Sequence, residues 1–309
     1  MATIKNYLSL IKFSHTIFAL PFAFIGFFLG LFHKLLGEIP FEGPLYDDEL
    51  ETDILEQIIN FSYLHLFLLV IGCMISARSA AMAFNRYLDR HFDAKNPRTA
   101  IREIPKGIIK PSNALFFTIL SSFIFIYFTY HINRLCFYLS PVALLVILGY
   151  SYTKRFTPLC HLILGLGLSL APIGAYLAVT GSFNMLPILF SLSVLFWVSG
   201  FDIIYALQDE EFDKENNLFS IPSWVGKEKA LMFSKFLHLL SAISIVGAGW
   251  YGGFGIWYGV GVLVFISMLL YQHSIVKPND LSKVNLAFMT ANGIASVIFS
   301  IFVILDLFL

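Results

Sequence analysis

Charge is scarce in this chain. Charged side chains make up 13% of its 309 residues, against roughly 25% in a soluble globular domain, which excludes a protein solvated on all sides. Neither sign is in excess: 20 Lys and Arg balance 20 Asp and Glu, for a formal net charge of +0. Without a basic surplus, nucleic acid is not an expected partner. Cysteine is nearly absent too. Cys73, Cys136 and Cys160 lie in or beside apolar stretches and form no CxxC pair. They read as small buried hydrophobes rather than a redox or metal centre. Linkers and low-complexity tracts are missing, so residues 1–309 read as one transmembrane domain. Lys5 and Lys12 precede the first apolar run, and no small-residue cleavage site follows it. A retained first helix is expected.

What the chain has in abundance is apolar length. Hydrophobic residues reach 58% and the mean hydropathy is +0.77. In a bilayer every backbone polar group must be satisfied internally, so such a chain is expected to be an all-α, multi-pass membrane protein. About nine transmembrane helices fit, near 13–33, 61–85, 112–131, 135–151, 159–180, 184–206, 230–250, 253–272 and 285–307. The pair within 230–272 is the least sharply divided, because five glycines fall between 247 and 255. Alternate connections gather the positive charge, including Arg86, Arg90, Arg98, Arg102, Lys154, Arg155 and Lys227, while the others hold only Lys34 and Arg134. The positive-inside rule then puts the N-terminus in the cytoplasm and the C-terminus outside, and the expected location is the cell inner (cytoplasmic) membrane. Segment 34–60, with Glu38, Glu42, Asp47, Asp48 and Glu49 among its acids, becomes an acidic outside loop with room for a short amphipathic helix near 47–59. A solvated loop, a calcium site and a partner surface all fit it.

Against this background two acidic clusters stand out. Asn85, Asp89 and Asp93 end the second apolar run at intervals of four residues. Each such step rotates a helix by only about 40°, so the three share one face. Oxygen ligands on one face suit a hard cation such as Mg²⁺. At the C-terminal end of a helix they oppose the dipole, a penalty that a bound cation removes. Asp209 and Asp213 repeat the pattern at the end of the sixth run, and Glu210 and Glu211 beside them rotate off that face as solvated residues. Both clusters fall on the same side of the membrane. Two facing halves around one cavity are expected. The clusters repel each other unless cations bridge them, and a diphosphate carried with Mg²⁺ would do so.

Other polar residues lie close by. Arg78, seven residues before Asn85, shares its face about 10 Å deeper. It suits either an ion pair with a buried carboxylate such as Asp202 or a clamp for a small carboxylate or polar aromatic substrate. Asp202 and Tyr205 precede Asp209 by one to two turns. Asp202 can orient or deprotonate a phenol and Tyr205 can steady a cation, or each can be structural. Lys154 and Arg155, like Arg98 and Arg102, can reach a diphosphate or simply mark topology. Some of the 33 Phe residues are expected to line a channel for a long apolar ligand.

These motifs resemble those of the UbiA superfamily of intramembrane prenyltransferases. NRYLDRHFDAKNPRT is similar to the family's NxxxDxxxD motif, and YALQDEEFDKENNLFSIP to its second aspartate motif. The likeness extends from SLIKFSHTIFALPFAFIG to the last span. It implies nine helices around a central cavity, Mg²⁺, and a polyprenyl diphosphate substrate. Asn85, Asp89, Asp93, Asp209 and Asp213 would be the metal and diphosphate residues. Within the superfamily the chain looks most like the 4-hydroxybenzoate polyprenyltransferases of quinone synthesis, including a branch thought to serve menaquinone synthesis from futalosine. The 34–60 segment is longer than the family's usual first loop.

The expected reaction is therefore Mg²⁺-assisted loss of diphosphate followed by electrophilic aromatic substitution on an acceptor such as 4-hydroxybenzoate, for ubiquinone or menaquinone. Arg78, Asp202 and Tyr205 are the expected catalytic residues, and Arg98, Lys154 and Arg155 the expected diphosphate contacts. A naphthoquinone precursor of the futalosine pathway, haem and a chlorophyll-type ring are the competing acceptors. A cation-coupled transporter is the competing class, against which the acids cluster at one membrane face rather than at mid-membrane.

Overall fold

The computed structural model describes residues 3–12, 18–36 and 61–309. Eleven α-helices are found among them: α1 (Ile4–Leu10), α2 (Leu20–Leu36), α3 (Phe61–Lys95), α4 (Pro111–Ile132), α5 (Arg134–Thr153), α6 (Cys160–Thr180), α7 (Met185–Ala206), α8 (Glu210–Glu215), α9 (Ile221–Gly252), α10 (Ile256–Ile275) and α11 (Asn292–Phe308). No β-strand occurs among the described residues. Eight helical stretches are long and apolar enough to cross a membrane, and α2 is a shorter apolar helix. The chain is thus an all-helical, multi-pass membrane protein. The acidic stretch 37–60, with its expected short helix, lies outside the described residues.

Local chemistry explains the breaks. Pro111 opens α4, where its missing N–H costs nothing. Asn133 separates α4 from α5 and caps α5 by accepting from the Cys136 N–H at 2.8 Å. The glycine-rich stretch resolves into two helices, because Gly253 ends α9 in the left-handed region at φ 67°. One boundary differs from the hydropathy reading. Helix α3 runs ten residues past 85, to Lys95, because its polar residues end the apolar stretch without ending the helix. The α9 range is kinked at Gly226 (φ 81°, ψ 166°), so a short turn from Ile221 precedes the long run that hydropathy places from near 230.

Neighbouring helices pack as α3 on α4, α6 on α7, α7 on α9, α2 on α6, and α10 on α11. Contact between α2 and α6 is close: a Cβ on Gly26 would lie 1.9 Å from the Pro172 carbonyl oxygen. The core is aromatic, with Phe22, Trp197, Phe265 and Phe299 buried against one another. Outer faces expose Phe116, Phe123, Leu145 and Leu270, as a lipid-facing surface requires. Before α11 the chain makes one π-helical stretch, Leu286–Ala291, that sets Phe288 against Tyr205 with ring centroids 4.3 Å apart.

Candidate active site

One cavity of about 550 Å³ opens between α3, α5, α6 and α7. Helix α3 carries the first motif through its last turns without interruption, so Asn85, Asp89 and Asp93 all reach the cavity wall. The second motif is built differently. Helix α7 stops at Ala206, a 3-10 turn spans Leu207–Asp209, and α8 starts at Glu210. Asp209 is on the wall, whereas Asp213 is fully buried behind it. This break also corrects the expectation for Glu210. It is buried, 2.6 Å from Lys214 and 3.7 Å from Lys227, while Glu211 is exposed. A continuous helix would have turned both outward, and the tighter turn changes the register.

Every acid of the two motifs meets a cation from another segment or from beyond its own helix. Asp89 takes Arg155 Nη2 at 2.9 Å and Asp93 takes Arg102 Nη1 at 2.6 Å. Asp209 is bracketed by Arg98, whose Nε lies 3.0 Å from Oδ1 and whose Nη2 meets Oδ2. Asp213 takes Lys154 Nζ at 2.7 Å. Arg98, Arg102, Lys154 and Arg155, each open to a topological or a diphosphate-binding role, all face the motif acids. Burial pulls the Lys154 ammonium toward neutrality, but attraction and hydrogen bonding to Asp213, with Asp209 and Asp89 farther off, outweigh it and raise its pKa. Burial likewise opposes charge on Arg98, and its bonds to Asp209 prevail.

The pairs tie the halves of the cavity together. Arg98 follows the first motif and grips the second, donating also to the Tyr205 hydroxyl at 2.9 Å. Asn96 donates to Asp209 Oδ1 at 3.0 Å and accepts from the Arg98 backbone N–H at 2.9 Å. Ser220, which caps α9, donates to Asp213 Oδ2 at 2.9 Å.

Arg78 and Asp202 both line the cavity but do not pair with each other. Asp202 Oδ2 lies 2.7 Å from His161 Nδ1. Arg78 Nη2 donates to the Lys12 carbonyl at 3.4 Å, and its buried Nε has no partner. The ion pair considered for Arg78 is therefore replaced by a histidine that no motif announced. His161 opens an apolar span, and its partner is 41 residues away, so no local pattern could reveal the contact. Asn96 and Phe288 carried no signal either. Arg86, buried on the same wall, also leaves its Nε without a partner.

The oxygens on the wall suit a hard divalent cation. Asn85 Nδ2 donates to Asp89 Oδ2 at 3.0 Å, which leaves the Asn85 carbonyl oxygen to the cavity, and Asp93 Oδ2 is buried without a hydrogen bond. Among the described residues no three acids, histidines or cysteines converge on one point.

An apolar helical bundle with an acid-and-base-lined cavity at the ends of its helices defines the class: an integral membrane protein with a charged cavity. Residues 56–294 match the model of the UbiA prenyltransferase family, and the chain belongs to that family of enzymes. It is 29% identical over 234 residues to the 4-hydroxybenzoate octaprenyltransferase of Aeromonas salmonicida, spanning 76% of this chain and 80% of that relative. The apo structure of a UbiA homologue from Aeropyrum pernix aligns with a TM-score of 0.72 and 26% identity, over 94% of this chain and 95% of the other. A UbiA homologue from Archaeoglobus fulgidus, solved bound to DMAPP and Mg²⁺, shares the fold with a TM-score of 0.71 at 20% identity, over 98% and 99%.

Proposed function

We propose that this prenyltransferase moves a polyprenyl group from polyprenyl diphosphate to a hydroxyaromatic acid, with 4-hydroxybenzoate the acceptor we favour, in the synthesis of a ubiquinone- or menaquinone-type quinone. One observation carries the reading: Asp89 and Asp209, from two distant motifs, share one cavity and are each held by a basic side chain from elsewhere in the chain. Such paired charges are what a diphosphate with its counter-ion would separate. Asn85, Asp89, Asp93 and Asp209 would hold Mg²⁺, which when bound neutralises charge building on the leaving diphosphate. Released from their acids, Arg98 and Arg155 would turn to the diphosphate oxygens, and Lys154 would reach them while Asp213 steadies it from behind. Arg78, whose Nε is unpartnered, suits the acceptor's carboxylate, and Asp202 its hydroxyl. Phe18, Phe201, Leu164 and Leu168 form an apolar part of the wall, which would shield a forming allylic cation from water. We place the cavity at the cytoplasmic side of the inner membrane because the basic connections gather there. The relatives' chemistry and the one-ended clustering of acids both favour an enzyme over a transporter.

The test is incubation of membranes containing the protein with labelled prenyl diphosphate and a panel of aromatic acids, including a naphthoquinone precursor. Prenylated 4-hydroxybenzoate is expected. Transfer only to the naphthoquinone precursor would reassign the acceptor, and solute flux without any prenylated product would defeat the reading.

A further inference from the structure

The pair His161–Asp202 sits on the cavity wall but belongs to neither acidic motif. His161 is buried at the start of α6, and both of its ring nitrogens are engaged. Nε2 lies 3.3 Å from the backbone nitrogen of Ile221, the first residue of α9. A backbone N–H can only donate, so Nε2 carries the lone pair and the ring proton is on Nδ1. Nδ1 therefore donates to Asp202 Oδ2, 2.7 Å away. Asp202 remains partly exposed to the cavity, and its Oδ1 makes no hydrogen bond among the described residues. The carboxylate is thus turned by a fixed donor so that one oxygen is left to accept from a ligand.

We infer that His161 is a positioning residue that aims Asp202 at a hydroxyl of the acceptor ring, and that the pair selects acceptors carrying an O–H there. This rests on the acceptor reading above. In the reaction Asp202 takes the hydroxyl proton as the ring carbon bonds to the allylic carbon. The O–H electron pair moves into the ring, and the allylic C–O pair leaves with diphosphate. The ring carbon then loses its own proton to diphosphate, and Asp202 returns its proton to the ring oxygen, restoring the phenol and the carboxylate. Methylating the hydroxyl removes the hydrogen that Asp202 accepts.

The experiment compares wild-type protein with His161→Asn and His161→Gln, in full-length form in lipid nanodiscs. Each is assayed with labelled geranyl diphosphate against 4-hydroxybenzoate and a hydroxynaphthoate, each beside its methyl ether. The Asn amide can stand where Nδ1 stands and keep the donor to Asp202. The Gln amide reaches the Nε2 position and keeps only the contact to Ile221. Asn is expected to exceed Gln at least about tenfold in kcat/KM for the hydroxy acid, with KM for geranyl diphosphate alike in both. The methyl ethers are expected to react at least about 100-fold more slowly with wild type. If Gln accumulates poorly, Asp202→Asn takes its place, with the same loss toward the hydroxy acid and the same unchanged KM for geranyl diphosphate. Equal activity of Asn and Gln, an effect on geranyl diphosphate KM alone, or methyl ethers that react as well as the hydroxy acids overturns the inference while leaving the prenyltransferase reading intact. No prenylation by wild type of any acid tested overturns both.

Discussion

The two aspartate motifs look alike in sequence and are not alike in the fold. The first lies on one unbroken helix and presents all three of its polar residues to the cavity. The second is split by a 3-10 turn, presents Asp209, and withdraws Asp213 into a fully buried position between Lys154 and Ser220. A repeated spacing therefore does not imply a repeated role. On the proposed reading the first motif would be a surface of ligands, and the second one ligand with a support behind it.

The largest effect is expected where the motifs agree. Asp89→Ala and Asp209→Ala should each lower prenyl transfer by at least about 10³-fold, because each removes a charge at the point where the diphosphate head would be held. Each also strands an arginine, Arg155 or Arg98, so expression and membrane insertion are checked alongside. Wild-type-like turnover in either variant would remove the basis for treating the motifs as one site.

The next effect should separate them. Asp93 is on the wall with one oxygen unpartnered, whereas Asp213 touches the site only through Lys154 and Ser220. Asp93→Asn should raise the Mg²⁺ concentration needed for half-maximal transfer by about tenfold or more, as loss of one charged ligand does. Asp213→Asn should leave that requirement nearly unchanged and instead raise KM for the prenyl diphosphate. A Mg²⁺ titration of both variants reads this directly, and an equal shift in the two would erase the distinction drawn here.

Lys154→Met is expected to act in the same direction as Asp213→Asn and to be partly redundant with it. Removing one charge-assisted contact to the diphosphate corresponds to about 1.5–3 kcal/mol, or about 10- to 100-fold in KM. In the double variant the second change should add little, since each loss disrupts the same pair. Full additivity in steady-state kinetics would mean that Asp213 reaches the substrate by itself.

The contrast between the motifs also marks how far the sequence can be read. Spans are legible because a membrane forces long apolar runs, and the first motif is legible because its helix keeps a constant 3.6-residue period through Asp93. The second motif keeps the spacing of four but not the helix. Glu210, assigned to solvent by periodicity, is buried on Lys214 and Lys227 as a result. His161 and Asn96 were illegible for another reason: each acts through a partner 41 or 113 residues away. Arg98 and Arg155 were visible as charges, but the acids they grip follow only from how α3, α5 and α7 meet.

The smallest effect tests whether the support behind Asp209 begins at the start of α9. Ser220 accepts from the Ser223 N–H at 3.2 Å as the helix cap, and its hydroxyl donates to Asp213. Asn133 caps α5 at the end of that helix opposite Lys154 and touches no motif residue. Ser220→Ala and Asn133→Ala should each cost about 1 kcal/mol of stability and lower the apparent unfolding midpoint by a few degrees. Only Ser220→Ala should also raise KM for the prenyl diphosphate, by about threefold, because Asp213 loses a donor that helps fix Lys154. The two measurements together discriminate. A midpoint shift without a KM change in Ser220→Ala would reduce Ser220 to a helix cap, and the buried half of the second motif would then end at Asp213.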